Sequence, residues 1–253
     1  MAQKKKIIIG NWKMNPVSVT EATDIFKKIQ KGAVGTKAQV VICPPYIYID
    51  ALARHNKSDT VLLGAQNLNA EPAGARTGEI SGDLLKQFGL SYVILGHSER
   101  RELGETDAAV NTKILAALAW KFKPVLCIGE KARDDDGNYL GFIKNQIEQA
   151  LLGVKKEQLG QLVIAYEPVW AIGAATAMTP SSVHEMVLFI RKTLFELYKT
   201  RTISTPIIYG GSVKPENAEA IMNEGEAGGL LIGRQSLDPA AFSAIITIAS
   251  SLS

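Results

Sequence analysis

The sequence predicts an α/β fold, a single (β/α)8 barrel spanning residues 1–253. Three observations carry that expectation. Short β-rich apolar runs recur eight times, segments of helical spacing lie between them, and no linker, low-complexity tract or shift of composition divides the chain. Near-continuous apolarity without alternation marks strands covered on both faces, as in a parallel sheet. Successive β-then-α units over this length fit a closed barrel, with a doubly wound open sheet as the alternative.

The strands are expected at Ile7-Ile8-Ile9, Val40-Val41-Ile42, Val61-Leu62-Leu63, Tyr92-Val93-Ile94-Leu95, Val125-Leu126-Cys127-Ile128, Val163-Ile164-Ala165, Ile207-Ile208-Tyr209 and Leu230-Leu231-Ile232. After the first, Val19, Ala22, Ile25, Phe26 and Ile29 form a helical stripe, and Ser18-Val19-Thr20-Glu21 fits a capping box at its start. Gly89 falls where a helix C-cap would return the chain to the fourth strand. Val183, Val187, Ile190, Leu194 and Leu197 form another stripe, opened by Thr179 as cap and Pro180 in the first turn. Asp238 and Pro239 open the last helix in the same way, with Phe242, Ile245, Ile246 and Ala249 as its core face.

Composition narrows the function classes. An apolar fraction of 46% with a formal charge of only +3 is ordinary for a globular protein and offers no strong field for a polyanion. Lys4-Lys5-Lys6 reads as a solvated basic start rather than a nucleic-acid or targeting signal. No apolar run approaches a membrane span, and no long apolar core of a secretion signal follows the start. Cys43 and Cys127 each end a buried-looking run, so both read as core thiols in a reducing compartment, neither a disulfide nor a metal pair. The expectation is a cytoplasmic protein with no nucleic-acid or membrane partner.

In a barrel, chemistry sits on the loops after the strands' carboxyl ends. The run Leu162-Val163-Ile164-Ala165 leads through Tyr166 to Glu167, and Pro168 stops the strand. An apolar setting there should raise the carboxyl pKa towards the range of a general base at neutral pH. After the first strand, alternation puts Asn11 and Lys13 on one side, and the lysine offers charge to an anionic substrate. Of three histidines, His97 alone follows an apolar strand directly; His184 lies within a helical stripe and His55 in a polar turn. Near a helix start the dipole favours neutral imidazole for His97, which can still donate one hydrogen bond. The loops Tyr209-Gly210-Gly211-Ser212-Val213 and Leu231-Ile232-Gly233-Arg234-Gln235-Ser236 are rich in small residues and lead towards helix starts. They are either anion-binding turns or turns alone.

These segments, with Gly10-Asn11-Trp12-Lys13-Met14-Asn15, Gly64-Ala65-Gln66-Asn67, Thr77-Gly78-Glu79-Ile80-Ser81, Gly96 through Arg101, Cys127-Ile128-Gly129-Glu130 and Ala165 through Gly173, resemble the triosephosphate isomerase family along essentially the full chain. The resemblance implies a TIM barrel that interconverts dihydroxyacetone phosphate and D-glyceraldehyde 3-phosphate in glycolysis and gluconeogenesis, without metal or organic cofactor. It implies Glu167 as the base, His97 as a neutral electrophile, Lys13 as the nearby cation and Asn11 as a polar contact. Backbone N–H groups of Gly173, Ser212, Gly233 and Arg234 would hold the phosphate. Pro168 through Met178 would form a mobile lid anchored by Trp170, with Glu130 and Tyr166 beside it and Tyr209 and Ser212 receiving it. The long loop from Asn67 to Thr77 would make a homodimer, Thr77 approaching the other subunit's Asn11. Two positions depart from the family pattern: Ala174-Ala175-Thr176 stands where Thr-Gly-Lys is common, and Arg234 where a second glycine is common. A different phosphate-binding barrel would need another acid–base set, and a barrel kept only as a scaffold would be expected to lose one of these residues.

Overall fold

The computed structural model describes residues 5–56, 59–173, 177–200 and 204–253. Eight parallel strands close into a barrel in sequence order: β1 (Ile7–Asn11), β2 (Gln39–Cys43), β3 (Val61–Ala65), β4 (Tyr92–Leu95), β5 (Lys123–Ile128), β6 (Val163–Tyr166), β7 (Ile207–Tyr209) and β8 (Gly229–Ile232). The seam lies between β8 and β1, with Ile7 opposite Gly229 and Gly10 opposite Ile232.

Alternation along each strand divides the apolar runs between two cores. Ile7, Ile9, Val41, Ile94, Val163, Ala165, Ile208 and Leu231 pack together inside the barrel. Their neighbours Ile8, Val40, Ile42, Val93, Leu126, Ile164 and Ile232 pack outwards into the layer shared with the helices. Both faces are therefore dry, which is why the runs lack polar alternation.

The outer ring consists of α1 (Val19–Gly32), α2 (Tyr46–His55), α3 (Gly82–Lys86), α4 (Ser98–Glu102), α5 (Asp107–Ala119), α6 (Asn138–Ala150), α7 (Pro180–Tyr198), α8 (Pro215–Asn223) and α9 (Pro239–Ser251). Helix α9 packs against both α8 and α1 and so completes the circle. Among the described residues no helix is long and apolar enough to cross a membrane.

Local signals act largely as expected. Ser18 accepts the Glu21 N–H, the hydroxyl half of the expected capping box, and Thr179 and Asp238 cap α7 and α9 with proline in the first turn. Val19 and Leu197 are exposed although they belong to the expected stripes, because each sits at a helix end where the stripe runs off the sheet. Gly89, at φ +70°, lies just past the end of α3 and donates to Lys86 O. His55 ends α2 rather than lying in a turn. The β4 unit holds two helices where one was expected: α4 is a single short turn, after which Thr106 caps α5.

One glycine at the seam has no substitute. Gly229 has φ +157°, and an added Cβ would overlap the Ile7 backbone carbonyl on β1. Gly229→Ala should destabilise the protein by about 3 kcal/mol, since rigid backbone rather than a movable side chain blocks the new methyl group. Urea unfolding measures this, and an unchanged midpoint would show that the seam relaxes.

Candidate active site

The carboxyl ends of the strands meet at one rim, where a cleft of about 550 Å³ opens. Its walls include Asn11, Lys13, His97 and Glu167, from the ends of β1, β4 and β6.

Glu167 continues the inward phase of Val163 and Ala165, and its N–H donates to Ile128 O at 2.8 Å before Pro168 ends the ladder. The residue is only 4% exposed. Its side chain lies over Gly210, where a Cβ would stand 2.6 Å from Glu167 Cγ and 3.1 Å from Oε1. Oε1 is 3.4 Å from His97 Nε2, while Oε2 is buried with no hydrogen-bond partner among the described residues. Burying a carboxylate oxygen unpaired is costly, and in a cleft such an atom is one that an incoming group would satisfy.

Strict alternation would turn His97 away from the cleft. Gly96 prevents this: its φ of +71° re-aims the chain, and Arg101 braces the turn by donating from Nε to Gly96 O at 2.7 Å and from Nη1 to Asp107 at 2.6 Å. His97 then caps α4, its Nδ1 accepting the Glu99 N–H at 3.2 Å. A ring nitrogen that accepts carries no proton, so this bond assigns the neutral tautomer with the proton on Nε2, the atom facing Glu167.

Lys13 reaches the cleft by a different route from the simple alternation expected. It lies beyond β1 in a left-handed conformation, φ +53°, uncommon for a side-chain-bearing residue. Asn11 Oδ1 accepts the Lys13 N–H at 3.1 Å, and Gln66 Nε2 donates to Lys13 O and to Cys43 O, both at 2.9 Å. The Lys13 ammonium pairs with Glu99 Oε1 at 2.6 Å. Strain held in place by surrounding bonds is common at functional sites.

Gly173, Ser212, Gly233 and Arg234 line the cleft as well. Their backbone N–H groups donate to no acceptor among the described residues. Arg234 opens a 3-10 turn (Arg234–Leu237) and stays outside the left-handed region, so a side chain at this position costs no backbone strain. Ser236 braces the turn: its hydroxyl donates to Gly233 O at 2.6 Å, and its carbonyl accepts the Trp12 indole N–H at 3.2 Å.

At the near end of the expected lid, Glu130 is buried and gathers four donor contacts. Tyr166 Oη reaches both carboxylate oxygens at 2.9 and 3.1 Å, Trp170 Nε1 donates at 3.0 Å and Arg133 Nε at 2.9 Å. Burial opposes the Arg133 charge, yet bonds to Glu130 and Tyr166 outweigh it and raise the guanidinium pKa. The phenol of Tyr166 is likewise pushed up, by burial and then by the Glu130 charge. At the far end, Met178 N–H donates to Tyr209 Oη at 3.3 Å. Ser212 makes no bond to a described lid residue, its carbonyl instead accepting from Asn217. Ala174-Ala175-Thr176 lies outside the described residues. Cys127 lies beside Glu167, and its thiol is pushed well above the usual range by burial and then by that carboxylate.

Four contributors escaped the sequence reading: Arg101, Arg133, Gln66, and Gly210 as a seat for Glu167. The arginines and the glutamine act through tertiary bonds that have no local pattern. Gly210 was visible only as part of an anion loop.

Chemistry carried at the ends of parallel barrel strands places the chain among the (β/α)8-barrel enzymes. The family model described as triosephosphate isomerase matches residues 6–249. Proteins named triosephosphate isomerase are similar throughout: that of Moorella thermoacetica is 43% identical over 96% of this chain and 98% of its own length. The one from Caldanaerobacter subterraneus is 42% identical over 96% and 99%, and the one from Chloroflexus aurantiacus 43% over 95% and 97%. The chain belongs to the triosephosphate isomerase family.

The seat of Glu167 is directly testable. Gly210→Ala should displace the carboxylate and lower kcat by about 10²-fold, with KM within a few-fold, as an ångström-scale misplacement does. Steady-state kinetics with unchanged turnover would show that Glu167 does not need that position.

Proposed function

We propose that Glu167, His97 and Lys13 carry out the interconversion of dihydroxyacetone phosphate and D-glyceraldehyde 3-phosphate that membership of the family assigns to this chain. The observation that carries the reading is the pairing of a buried, half-unpartnered carboxylate with an imidazole whose proton is directed to the same cleft. Glu167 removes a proton from the carbon next to the carbonyl and returns it to the neighbouring carbon. His97, neutral, donates from Nε2 to the carbonyl oxygen and moves protons between the two oxygens of the enediol(ate). Lys13 brings positive charge to the developing oxyanion, and Asn11 holds the backbone that positions it. Preorganised donors in a water-poor site stabilise that charge; losing one typically costs roughly 2.7–4 kcal/mol of barrier. The free N–H groups of Gly173, Ser212, Gly233 and Arg234 hold the phosphate, and the segment from Pro168 to Met178 closes over it. The buried free thiols of Cys43 and Cys127 support a cytosolic setting.

A homodimer completes the reading. The loop tip from residue 71 to 79 is exposed throughout, while its base is fixed by Tyr46 Oη on Asn67 O at 2.5 Å and Lys113 on Asn67 Oδ1 at 2.9 Å. Met14 and Val17, after β1, and Ile47, at the start of α2, are 92%, 91% and 79% exposed, apolar surface that a partner would bury. Arg100 Nε and Glu105 Oε2, buried near Tyr46, have no hydrogen-bond partner among the described residues. A second copy covers this face and places Thr77 near its Asn11.

Glu167→Asp, which draws the carboxylate back by one methylene, should lower kcat by about 10²-fold or more with little change in substrate affinity. A coupled isomerisation assay giving near-parental kcat would remove Glu167 from the mechanism. Sedimentation should show a dimer, and deletion of the loop tip should give monomers of much reduced activity because Lys13 loses its support. A fully active parent monomer at assay concentration would overturn the dimer.

A further inference from the structure

We propose that the Arg234 guanidinium, together with Lys214, draws the substrate dianion into the cleft without becoming a ligand of the seated phosphate. This deepens the reading above and rests on the cleft being the substrate site. Among the described residues the cleft is lined by three cations, Lys13, Lys214 and Arg234, and by one carboxylate, Glu167. Glu167 repels an approaching phosphate dianion, and the charge of Lys13 is offset by Glu99 at 2.6 Å. The attraction that remains comes from Lys214 and Arg234, neither of which forms a side-chain ion pair among the described residues.

The placement of Arg234 divides its two ends between two tasks. Its backbone opens the 3-10 turn, so the N–H belongs to the donors on the floor of the cleft. Its side chain is exposed at the rim, where a guanidinium keeps its water and its field reaches outwards. Charges at a rim act on the rate of encounter and on its salt dependence more than on the bound state. The Debye length of about 8 Å at physiological ionic strength means that such an effect fades with added salt, whereas a guanidinium bonded to phosphate would be screened much less.

The test is kcat/KM for glyceraldehyde 3-phosphate from low to high ionic strength, in the parent, Arg234→Gln and Arg234→Lys. Arg234→Gln should lower kcat/KM roughly three- to tenfold at low salt, a single rim charge supplying only a fraction of the roughly 10- to 10³-fold that whole surface fields produce. The difference should vanish at high salt, and Arg234→Lys should restore the parent's salt slope. A Gln variant with the parent's salt slope would overturn recruitment by Arg234. A loss that persists at high salt, or that lysine does not rescue, would instead make the guanidinium a direct phosphate ligand. Failure of the underlying site assignment would show elsewhere, as a Glu167→Asp variant with parental turnover.

Discussion

Closing a parallel sheet on itself removes its free edges, and in this chain the closure is made where β8 lies against β1. Every later feature depends on that seam. Because all eight strands run the same way, their carboxyl ends share one rim, and residues as far apart as Asn11, His97, Glu167 and Gly233 become neighbours. The fit at the seam is tight enough that Gly229 meets the Ile7 carbonyl with no room for a side chain. The two dry cores on either side of the sheet supply the apolar burial that holds it closed.

On that frame the cleft brings several individually unfavourable features together. Glu167 Oε2 is buried and Lys13 is held in a left-handed conformation, and among the described residues neither that oxygen nor the backbone N–H groups of Gly173, Ser212, Gly233 and Arg234 have a hydrogen-bond partner. Each is unfavourable by itself and each is fixed by neighbours: Gly210 by making room, Gln66 and Asn11 by bonding the strained turn, Ser236 by bracing the last loop. Such features are what an enzyme needs before substrate arrives. The donors are already aimed, and little reorganisation is left for the moment of proton transfer.

The segment after β6 has its own anchor. A buried Glu130 tied to Tyr166, Arg133 and Trp170 fixes its start, and the Arg133 guanidinium also lies over the Trp170 ring at 5.5 Å. A buried carboxylate with that many donors resists rearrangement, because breaking any one bond leaves charge exposed to an apolar setting. The far end rests on Tyr209, whose phenol burial has pushed up in pKa, so it stays a neutral partner for the Met178 N–H.

The sequence by itself determined the eight strands, the caps of α1, α7 and α9 and the strand ends on which chemistry would sit. These are local: apolar runs, cap residues and turn glycines act over a few residues, and burial on both faces leaves a legible signature. The positions of Asn11, Lys13, His97 and Glu167 were legible for the same reason, since each ends or follows an apolar run. What brings them to bear was decided only by the tertiary structure. The left-handed turn at Lys13, the re-aiming of His97 through Gly96 and Arg101, the seat of Glu167 on Gly210 and the joining of Arg133 to Glu130 and Tyr166 all depend on contacts between distant segments. A local pattern can place a residue at the end of a strand. Which atom it faces is set by what the closed barrel brings against it.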